Sequence, residues 1–532
     1  MAIELHPPHR ARLSAAMIVR DEEHVLATTI ESVRAIADEI LVLDTGSIDQ
    51  TPTIASQLGA SVSRTLWNGD FSAARNRLLG EATGDWILWL DAGERLTAES
   101  AGELRAFLDR EADRGNVYLL MIETPAAEPG ASPEQAARLR LMPNHPDLRF
   151  AGRVRETLEP SIEAAGLAIG AAPGRIVRHR RVHDPQRKAR NAQRDLKLIA
   201  LEASESEGPK PRLLVALGEA SSDLDDRPTA RRAFLQAVRH APRGSTEMLE
   251  AYYGLLSTFD GDERQRDRQV ALCLEALEIY PLDAQLLSAM GSYLHAQNRL
   301  DLAARAFETA VRYGKVDPKT WHLCEIDEMA ATFLAFTLEM LGKDDEARRV
   351  LEEASARSGS STRIRQHLID LDVKHGRSED ALRAADAAPL EPEHREALHN
   401  AIRGACEAAQ QNWLAALGLL QSAYLAGCRE AVCLKWLAVT LLSNGQGEAV
   451  RPILHEWLQL EPGNAEARSY LTALDQNYAE WEASHAPLAV EPDGSRWIRV
   501  DPGTTVLDAT PVRMPIIHQA LSTDAILDAD GW

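Results

Sequence analysis

A repeated spacing of small and large apolar residues in the second half of the chain constrains the fold most. Gly218, Ala230, Phe234, Ala237 and Pro242 lie at offsets of 0, 12, 16, 19 and 24 residues. Small residues at such offsets let the two helices of a hairpin approach closely, and the large residue fills the gap between them. Further copies of the first four offsets are Gly291, Ala303, Phe307 and Ala310; Ala335, Ala347, Leu351 and Ala354; and Gly404, Ala416, Leu420 and Ala423.

Weaker copies of this pattern occur around Pro281, Ala381 and Ala449, which predicts about seven hairpins in all. The spacing resembles that of the tetratricopeptide repeat. Such hairpins cannot bury their apolar faces alone, so they stack into an all-α superhelix with a concave groove that suits a polypeptide. We therefore predict a repeat domain over residues 201–478. Residues 479–532 are punctuated by Pro and Gly, and we expect an irregular C-terminal tail there.

The first 200 residues have a different texture, in which short apolar runs alternate with stretches of helical spacing. Runs of this length predict a parallel sheet with helices on both faces, in which ligands bind beyond the carboxyl ends of the strands. Asp44 and Asp91 each end such a run, so we expect them at one edge of the sheet. The predicted strands are Leu13–Val19, Glu39–Leu43, Ser61–Leu66 and Asp85–Leu90, and the predicted helices are Val25–Ile36, Thr51–Leu58 and Phe71–Leu79.

Composition restricts the partners and the location. The formal net charge of −22 argues against general nucleic-acid binding, and no apolar run is long enough to cross a membrane. The first residues, MAIELHPPHRARL, lack the apolar centre of a signal peptide, so the expected location is the cytoplasm. The 5 cysteines form no CxxC pair and are expected to be reduced packing residues. The oligomeric state is left open, a homo-oligomer included.

Three stretches resemble family 2 glycosyltransferases of the GT-A fold, which have a Rossmann-like mixed sheet. They are AAMIVRDEEHVLATTIESV (15–33), EILVLDTGSIDQTPTIA (39–55) and WNGDFSAARNRLLGEATGDWILWLDAGE (67–94). The resemblance assigns residues 1–200 to a glycosyltransferase domain. The domain order is similar to that of sublancin-type peptide S-glycosyltransferases and flagellin-modifying glycosyltransferases. It implies inverting transfer of a hexosyl unit from a nucleoside diphosphate sugar to a protein or peptide acceptor, flagellin being one example, held by the repeats.

The resemblance also implies residues that contact the nucleotide sugar. Asp44 would accept the imide N–H of the base; the alternative is that it caps the turn formed by the residues after it. Glu22 would border the nucleotide, or it is a charge favoured at a helix N-terminus. Arg75 would pair with the base or with the diphosphate, or it ties its helix to the sheet.

Asp91-Ala92-Gly93-Glu94 stands where the family has its metal-binding Asp-x-Asp motif. Carboxylates there hold a divalent cation, Mg²⁺ or Mn²⁺, that neutralises the leaving diphosphate. Gly93 replaces the second aspartate, so Glu94 is the candidate second ligand beside Asp91. By resemblance, His179 is favoured over His183 for completing the shell. The alternative is that the change has weakened metal binding or abolished activity.

The segment LRLMPNHPDLRFAGRVRETL (139–158) resembles a family stretch that reads roughly R-L-F-R-N…F-x-G-x-V-H-E. An inverting transfer needs a base, and Glu156 is the candidate for taking the acceptor proton; the alternative is a glutamate at a helix N-terminus. The family histidine beside it is Arg155 here. In the basic run over residues 175–195, Lys188 would clamp the diphosphate as part of a closing lid, together with Arg190. The alternative for this run is a solvated helix face that links the two domains.

A second class of function is also consistent with the sequence. Gly93 and Arg155 depart from the family pattern, and a domain that had lost activity would leave the repeats as an interaction scaffold. The two hypotheses differ in whether the protein releases nucleoside diphosphate from a sugar donor.

Overall fold

The computed structural model describes residues 10–484 except 127–131, 180–184, 359–360, 388–389 and 462. The N-terminal part is a mixed sheet with helices on its faces. Its strands are β1 (Leu13–Val19), β2 (Glu39–Asp44), β3 (Ser61–Arg64), β4 (Trp86–Trp89), β5 (Glu94–Leu96), β6 (Asn116–Thr124), β7 (Glu134–Pro143) and β8 (Ala168–Arg178). Its helices are α1 (Leu26–Val33), α2 (Thr51–Gln57), α3 (Phe71–Leu79), α4 (Ala98–Arg110), α5 (Glu159–Ala164) and α6 (Pro185–Ser204).

The sheet has the strand order β3-β2-β1-β4-β7-β6-β8-β5. The first four strands in this order run parallel to one another, as the alternation of strands and helices predicts. β7 then pairs antiparallel with β4, which makes the sheet mixed. The predicted fold class for this part of the chain is therefore confirmed.

Both faces of β1 are buried, which explains its uninterrupted apolar sequence. Leu13, Ala15 and Met17 pack in a core with α1 and α4 on one face. Ala16 and Ile18 pack in a second core, formed with α3 and α6, on the other face. A strand covered on both faces needs apolar residues at every position rather than at alternate ones.

The rest of the described chain is a stack of seven helical hairpins and a final helix. A 3-10 turn, Glu263–Gln265, precedes the second helix of the second hairpin. The helices are α7 (Pro211–Asp223), α8 (Arg227–His240), α9 (Thr246–Ser257), α10 (Arg266–Leu277), α11 (Ala284–Ala296), α12 (Leu300–Tyr313), α13 (Ile326–Met340), α14 (Asp344–Ser358), α15 (Thr362–Lys374), α16 (Ser378–Asp386), α17 (Pro392–Ala409), α18 (Trp413–Leu425), α19 (Ala431–Ser443), α20 (Gly447–Leu460) and α21 (Ala465–Ser484).

The repeat spacing has the physical meaning predicted for it. A Cβ built on Gly218 would lie 2.5 Å from the ring of Phe234, and one built on Gly291 would lie 2.7 Å from the ring of Phe307. The glycine therefore admits the aromatic ring 16 residues later in the sequence, and the two helices close on each other. The predicted superhelix of helical repeats is confirmed.

Two features blur the predicted boundary at residue 200. α6 continues through it to Ser204, and Leu198 and Ile199 share a core with Leu213 of α7. A short strand within the repeats, β9 (His322–Leu323), pairs antiparallel with Glu134 and Gln135 of β7. The two parts are thus joined by a shared helix and a shared sheet. The irregular tail is predicted to begin at residue 479, but helix α21 continues to Ser484. The rest of the predicted tail, residues 485–532, lies outside the described residues.

Among the helices of the described residues, none combines the length and apolar character that a membrane crossing would require.

Candidate active site

The two key aspartates lie at one edge of the sheet, as expected. Asp44 is the last residue of β2 and is in register with Val19 of β1. Asp91 follows β4, whose Trp89 is in register with Ala16 of the same strand β1. Because β1 lies between β2 and β4, the two aspartates are separated by roughly two strand spacings, about 10 Å. Both carboxylates are almost fully buried.

Asp44 organises the turn that follows it. Its Oδ1 accepts hydrogen bonds from the backbone N–H groups of Ser47 at 2.9 Å and Gly46 at 3.3 Å. Its Oδ2 lies 3.7 Å from Nε of Arg64, whose side chain is largely exposed. One carboxylate oxygen of Asp44 therefore caps the turn, as the alternative predicts. The other oxygen faces the exposed guanidinium of Arg64. The role in base binding stays a prediction.

Asp91 is held by three donors. Its Oδ2 lies 2.6 Å from Nη2 of Arg140, and its Oδ1 lies 3.4 Å from Nη2 of Arg75. The indole Nε1 of Trp89 donates to the same Oδ1 at 3.3 Å. Gly93, two residues on, has a φ of 93°, a backbone conformation that favours glycine. An aspartate at that position would be strained, which gives the altered motif a structural reason.

Glu94 is held in the same network. Its Oε1 lies 2.9 Å from Nη2 of Arg140 and 3.4 Å from Nε of Arg178, and its Oε2 accepts the backbone N–H of Asp91 at 3.1 Å. Burial alone would lower the pKa of the Arg140 guanidinium, but Asp91 and Glu94 outweigh burial and raise that pKa above its usual value. Arg140 is therefore a fixed cation between two buried carboxylates.

Arg75 links Asp91 to the candidate base. The carboxylate of Asp70 caps the N-terminus of α3, and Arg75 lies among the buried residues of this helix. Its Nε donates to Glu156, and its guanidinium lies over the ring of Trp89, 4.5 Å from the centroid. Glu156 is as buried as Arg75, so the pair is shielded from water. Arg75 therefore links its helix to the residue that follows β4, as the alternative predicts. This contact does not exclude a further contact with the nucleotide sugar.

Side chains from the N-terminal half of α6 contact both the catalytic part and the repeats. Arg187 donates from Nη2 to Oε1 of the buried Glu22 at 3.1 Å. Lys188 places Nζ 3.3 Å from Oδ1 of Asp223 on α7. These contacts correspond to the linking-helix alternative for the basic run, while the nucleotide-binding roles of Glu22 and Lys188 stay predictions.

The predicted metal ligands are brought together only in part. The backbone N–H of His179 donates to the carbonyl of Gly93 at 2.7 Å, and the imidazole is exposed. His183 lies outside the described residues. Across the described ranges, no cluster of three or more His, Cys, Asp or Glu side chains is arranged to hold a metal ion. Among the predicted metal ligands, Asp91 and Glu94 are the two whose carboxylates the structure brings together.

Arg155, which replaces the family histidine, reaches into the repeats. Its Nη2 lies 2.5 Å from Oε1 of Glu219 on α7, and its Nη1 lies 3.3 Å from Oε2 of Glu250 on α9. Burial raises the pKa of Glu219 to about 8. The residue next to the candidate base Glu156 is therefore anchored to the first two hairpins.

Sequence reasoning did not find Arg140, Arg178 or Trp321. Trp321, from the connection between α12 and α13, is buried in the core of the N-terminal sheet, and its ring centroid lies 5.0 Å from the guanidinium of Arg178. The alternation of Arg and Leu at positions 138–141 is a strand signal that puts Arg138 and Arg140 on one face. For Trp321, the one signal is that residues 314–325 form the longest connection between successive hairpins.

The fold and the site define a class: an α/β domain with buried acidic groups at the carboxyl edge of parallel strands, joined to helical repeats. Comparison with known proteins agrees. Residues 14–147 match the family model for glycosyl transferase family 2. This part of the chain is a family 2 glycosyltransferase domain, which confirms the resemblance.

Two curated relatives are similar to parts of this chain. A TPR repeat-containing protein of Synechococcus elongatus is 43% identical over 175 residues, 32% of this chain and 42% of that protein. The SPbeta prophage-derived glycosyltransferase SunS of Bacillus subtilis is 31% identical over 94 residues, 17% of this chain and 22% of that one. The chain thus spans less than half the length of either relative.

A solved structure of a tetratricopeptide repeat protein from Parabacteroides merdae aligns with a TM-score of 0.36 at 12% identity, covering 50% of this chain and 98% of that one.

Proposed function

We propose that the protein is an inverting glycosyltransferase that moves a hexosyl unit from a nucleoside diphosphate sugar to a protein or peptide acceptor, in the cytoplasm. The observation that supports it is the shared edge of Asp44 and Asp91, on the parallel strands of a family 2 domain. Ligands of open α/β sheets bind at this edge.

Each residue of the site has a role in this proposal. Asp44 accepts a hydrogen bond from the base, and Glu22 borders the nucleoside. Arg75 and Arg140 donate to the diphosphate, since a guanidinium matches phosphate oxygens in shape and charge. Glu156 takes the proton from the acceptor nucleophile as that nucleophile bonds to the anomeric carbon and the diphosphate leaves.

A divalent cation is part of the proposal, because the family resemblance implies one. Asp91 and Glu94 supply hard oxygen ligands of the kind that Mg²⁺ and Mn²⁺ prefer. Asp91 Oδ2 and Glu94 Oε1 both lie within 2.9 Å of one atom, Nη2 of Arg140, so two carboxylate oxygens converge on a single point. That arrangement fits a cation when Arg140 is elsewhere. A bound cation would supply positive charge to the leaving diphosphate.

The repeats are proposed to hold the acceptor. The contacts of Arg155 with Glu219 and Glu250 put the first hairpins next to the catalytic domain, and β9 adds the third connection between hairpins to the same sheet as β4. The concave groove expected of such repeats suits an extended peptide.

A direct test is donor turnover. The protein is incubated with UDP-, GDP- and dTDP-sugars and Mn²⁺ or Mg²⁺, and release of nucleoside diphosphate is followed. We expect release with one donor class, a large loss in Asp44→Asn and Asp91→Asn, and no loss in Asp147→Asn, whose side chain is mostly exposed. Absence of release with every donor, together with absence of any thermal shift by nucleotides, would support the scaffold alternative.

That alternative has one observation in its favour. Arg140 and Arg75 hold both oxygens of Asp91, as they would in a domain that had given up cation binding.

A further inference from the structure

Arg140 stands where a cation would be expected. Its Nη2 contacts Oδ2 of Asp91 at 2.6 Å and Oε1 of Glu94 at 2.9 Å. The other oxygen of Asp91 faces Arg75 and Trp89, and the other oxygen of Glu94 accepts a backbone N–H. All four carboxylate oxygens therefore have protein donors, and none is left over for a metal ion.

The charges of the network balance. Asp91, Glu94 and Glu156 contribute three negative charges, and Arg75, Arg140 and Arg178 contribute three positive charges. A divalent cation that entered alone would add two uncompensated positive charges to a buried site, and a diphosphate alone would add negative ones. Both are unfavourable at low dielectric. A cation that arrives together with a diphosphate adds almost no net charge.

Two buried donors have capacity for an anion. Nε of Arg140 and Nη1 of Arg178 are buried and have no hydrogen-bond acceptor among the described residues. A buried guanidinium N–H without an acceptor is unfavourable, and phosphate oxygens are strong acceptors for it.

Resting on the proposed function, we propose that Arg140 occupies the cation position in the free protein and exchanges partners when the donor binds. Arg140 and Arg178 turn to the diphosphate oxygens, and Asp91 and Glu94 become available to the divalent cation. Two carboxylates hold such a cation well only together with phosphate oxygens and water. Cation and nucleotide therefore bind as a unit, and the cation alone is excluded by Arg140.

The test is a titration of Mn²⁺ into the full-length protein without nucleotide, followed by calorimetry and by loss of the free-ion EPR signal. We expect wild type to bind Mn²⁺ weakly, and Arg140→Gln to bind it about tenfold more tightly or better, a gain of about 1.4 kcal/mol. Arg140→Lys keeps a cation at the position and is expected to exclude Mn²⁺ as wild type does. In Arg140→Gln with Asp91→Asn, the gain is expected to disappear.

Arg138→Gln is the matched control. Arg138 lies on the same strand and the same face, but it contacts the carbonyl of Lys319 and the ring of Trp321 instead of the two carboxylates. It is expected to leave Mn²⁺ binding at the wild-type level. Circular dichroism and a melting curve for each variant confirm that folded protein is titrated.

A second titration includes UDP, GDP or dTDP, with the affinity of each nucleotide for Mn²⁺ subtracted. Wild type is expected to bind Mn²⁺ in the presence of one of them. Tight binding of Mn²⁺ alone by wild type, or no gain in folded Arg140→Gln, would overturn the inference. If Arg140→Gln gains Mn²⁺ affinity while no nucleotide promotes Mn²⁺ binding, the inference about Arg140 stands and the proposed function fails.

Discussion

Asp91 and Glu156, which come from separate segments of the chain, are bound by one guanidinium, that of Arg75. Asp91 is the candidate cation ligand, and Glu156 is the candidate base. A single buried arginine therefore fixes the distance between the donor side and the acceptor side of the site. The arrangement of the site therefore depends on the Arg75 guanidinium as much as on the carboxylates.

Removing Arg75 is expected to destabilise the protein strongly. Arg75→Ala would leave Glu156 without its buried partner and reduce the charge compensation of Asp91, at a cost of about 3–5 kcal/mol in the free energy of unfolding. Arg77→Ala on the same helix is the matched control, because its pair with Glu81 is exposed and should contribute less than about 1 kcal/mol. Equal denaturation midpoints for the two variants would contradict the assignment.

Trp321 is expected to serve the site from within the repeats. Trp321→Ala and Trp457→Ala each remove a buried indole and should each cost about 3–5 kcal/mol. Only Trp321 contacts Arg178 and Arg138, so we expect nucleotide binding and donor turnover to fall in Trp321→Ala alone, measured at a temperature where both variants are folded. Wild-type turnover in a folded Trp321→Ala variant would show that the two parts act separately.

Burial of the Glu219 carboxyl makes the stability of the fold depend on pH. Burial raises the pKa of Glu219 to about 8, above the ordinary value of 4.5, so the folded state favours the protonated carboxyl. This contribution is complete below the unfolded pKa and is lost as the pH rises through about 8. We expect the melting temperature to fall between pH 5 and pH 9, and to fall less in Glu219→Gln.

The exposed Glu278 provides the control for this prediction. Glu278→Gln should have the pH profile of wild type, because this substitution leaves the buried Glu219 and its contact with Arg155 in place. Parallel profiles for wild type and Glu219→Gln would mean that Glu219 does not titrate in this range.

Local patterns predicted most of the framework. The apolar run predicts the first strand at Leu13–Val19, and the structure has it there, because a strand buried on both faces must be apolar throughout. The repeated offset of 16 residues predicts the pairing of Gly218 with Phe234. By contrast, β9 has two residues, too few to show a period, and α6 contains residues that pack on both domains.

The candidate site was predictable only as far as sheet topology determines it. Parallel strands bring Asp44 and Asp91 to one edge, whatever the rest of the chain does. The partners of Asp91 could not be predicted from the same pattern. Arg140 and Arg178 reach Glu94 through β7 and β8, and the strand order that brings them there depends on long-range pairing rather than on local spacing.

The central claim is tested most directly by transfer of a hexose to a polypeptide acceptor from a nucleoside diphosphate sugar. Intact-mass spectrometry of candidate acceptors, flagellin-type proteins among them, is compared after incubation with donor, Mn²⁺ and either wild type or Asp91→Asn. We predict a mass increase of one hexosyl unit with wild type, and none with Asp91→Asn. Equal modification by both proteins would contradict the account, and so would a wild-type protein that releases no nucleoside diphosphate from any donor.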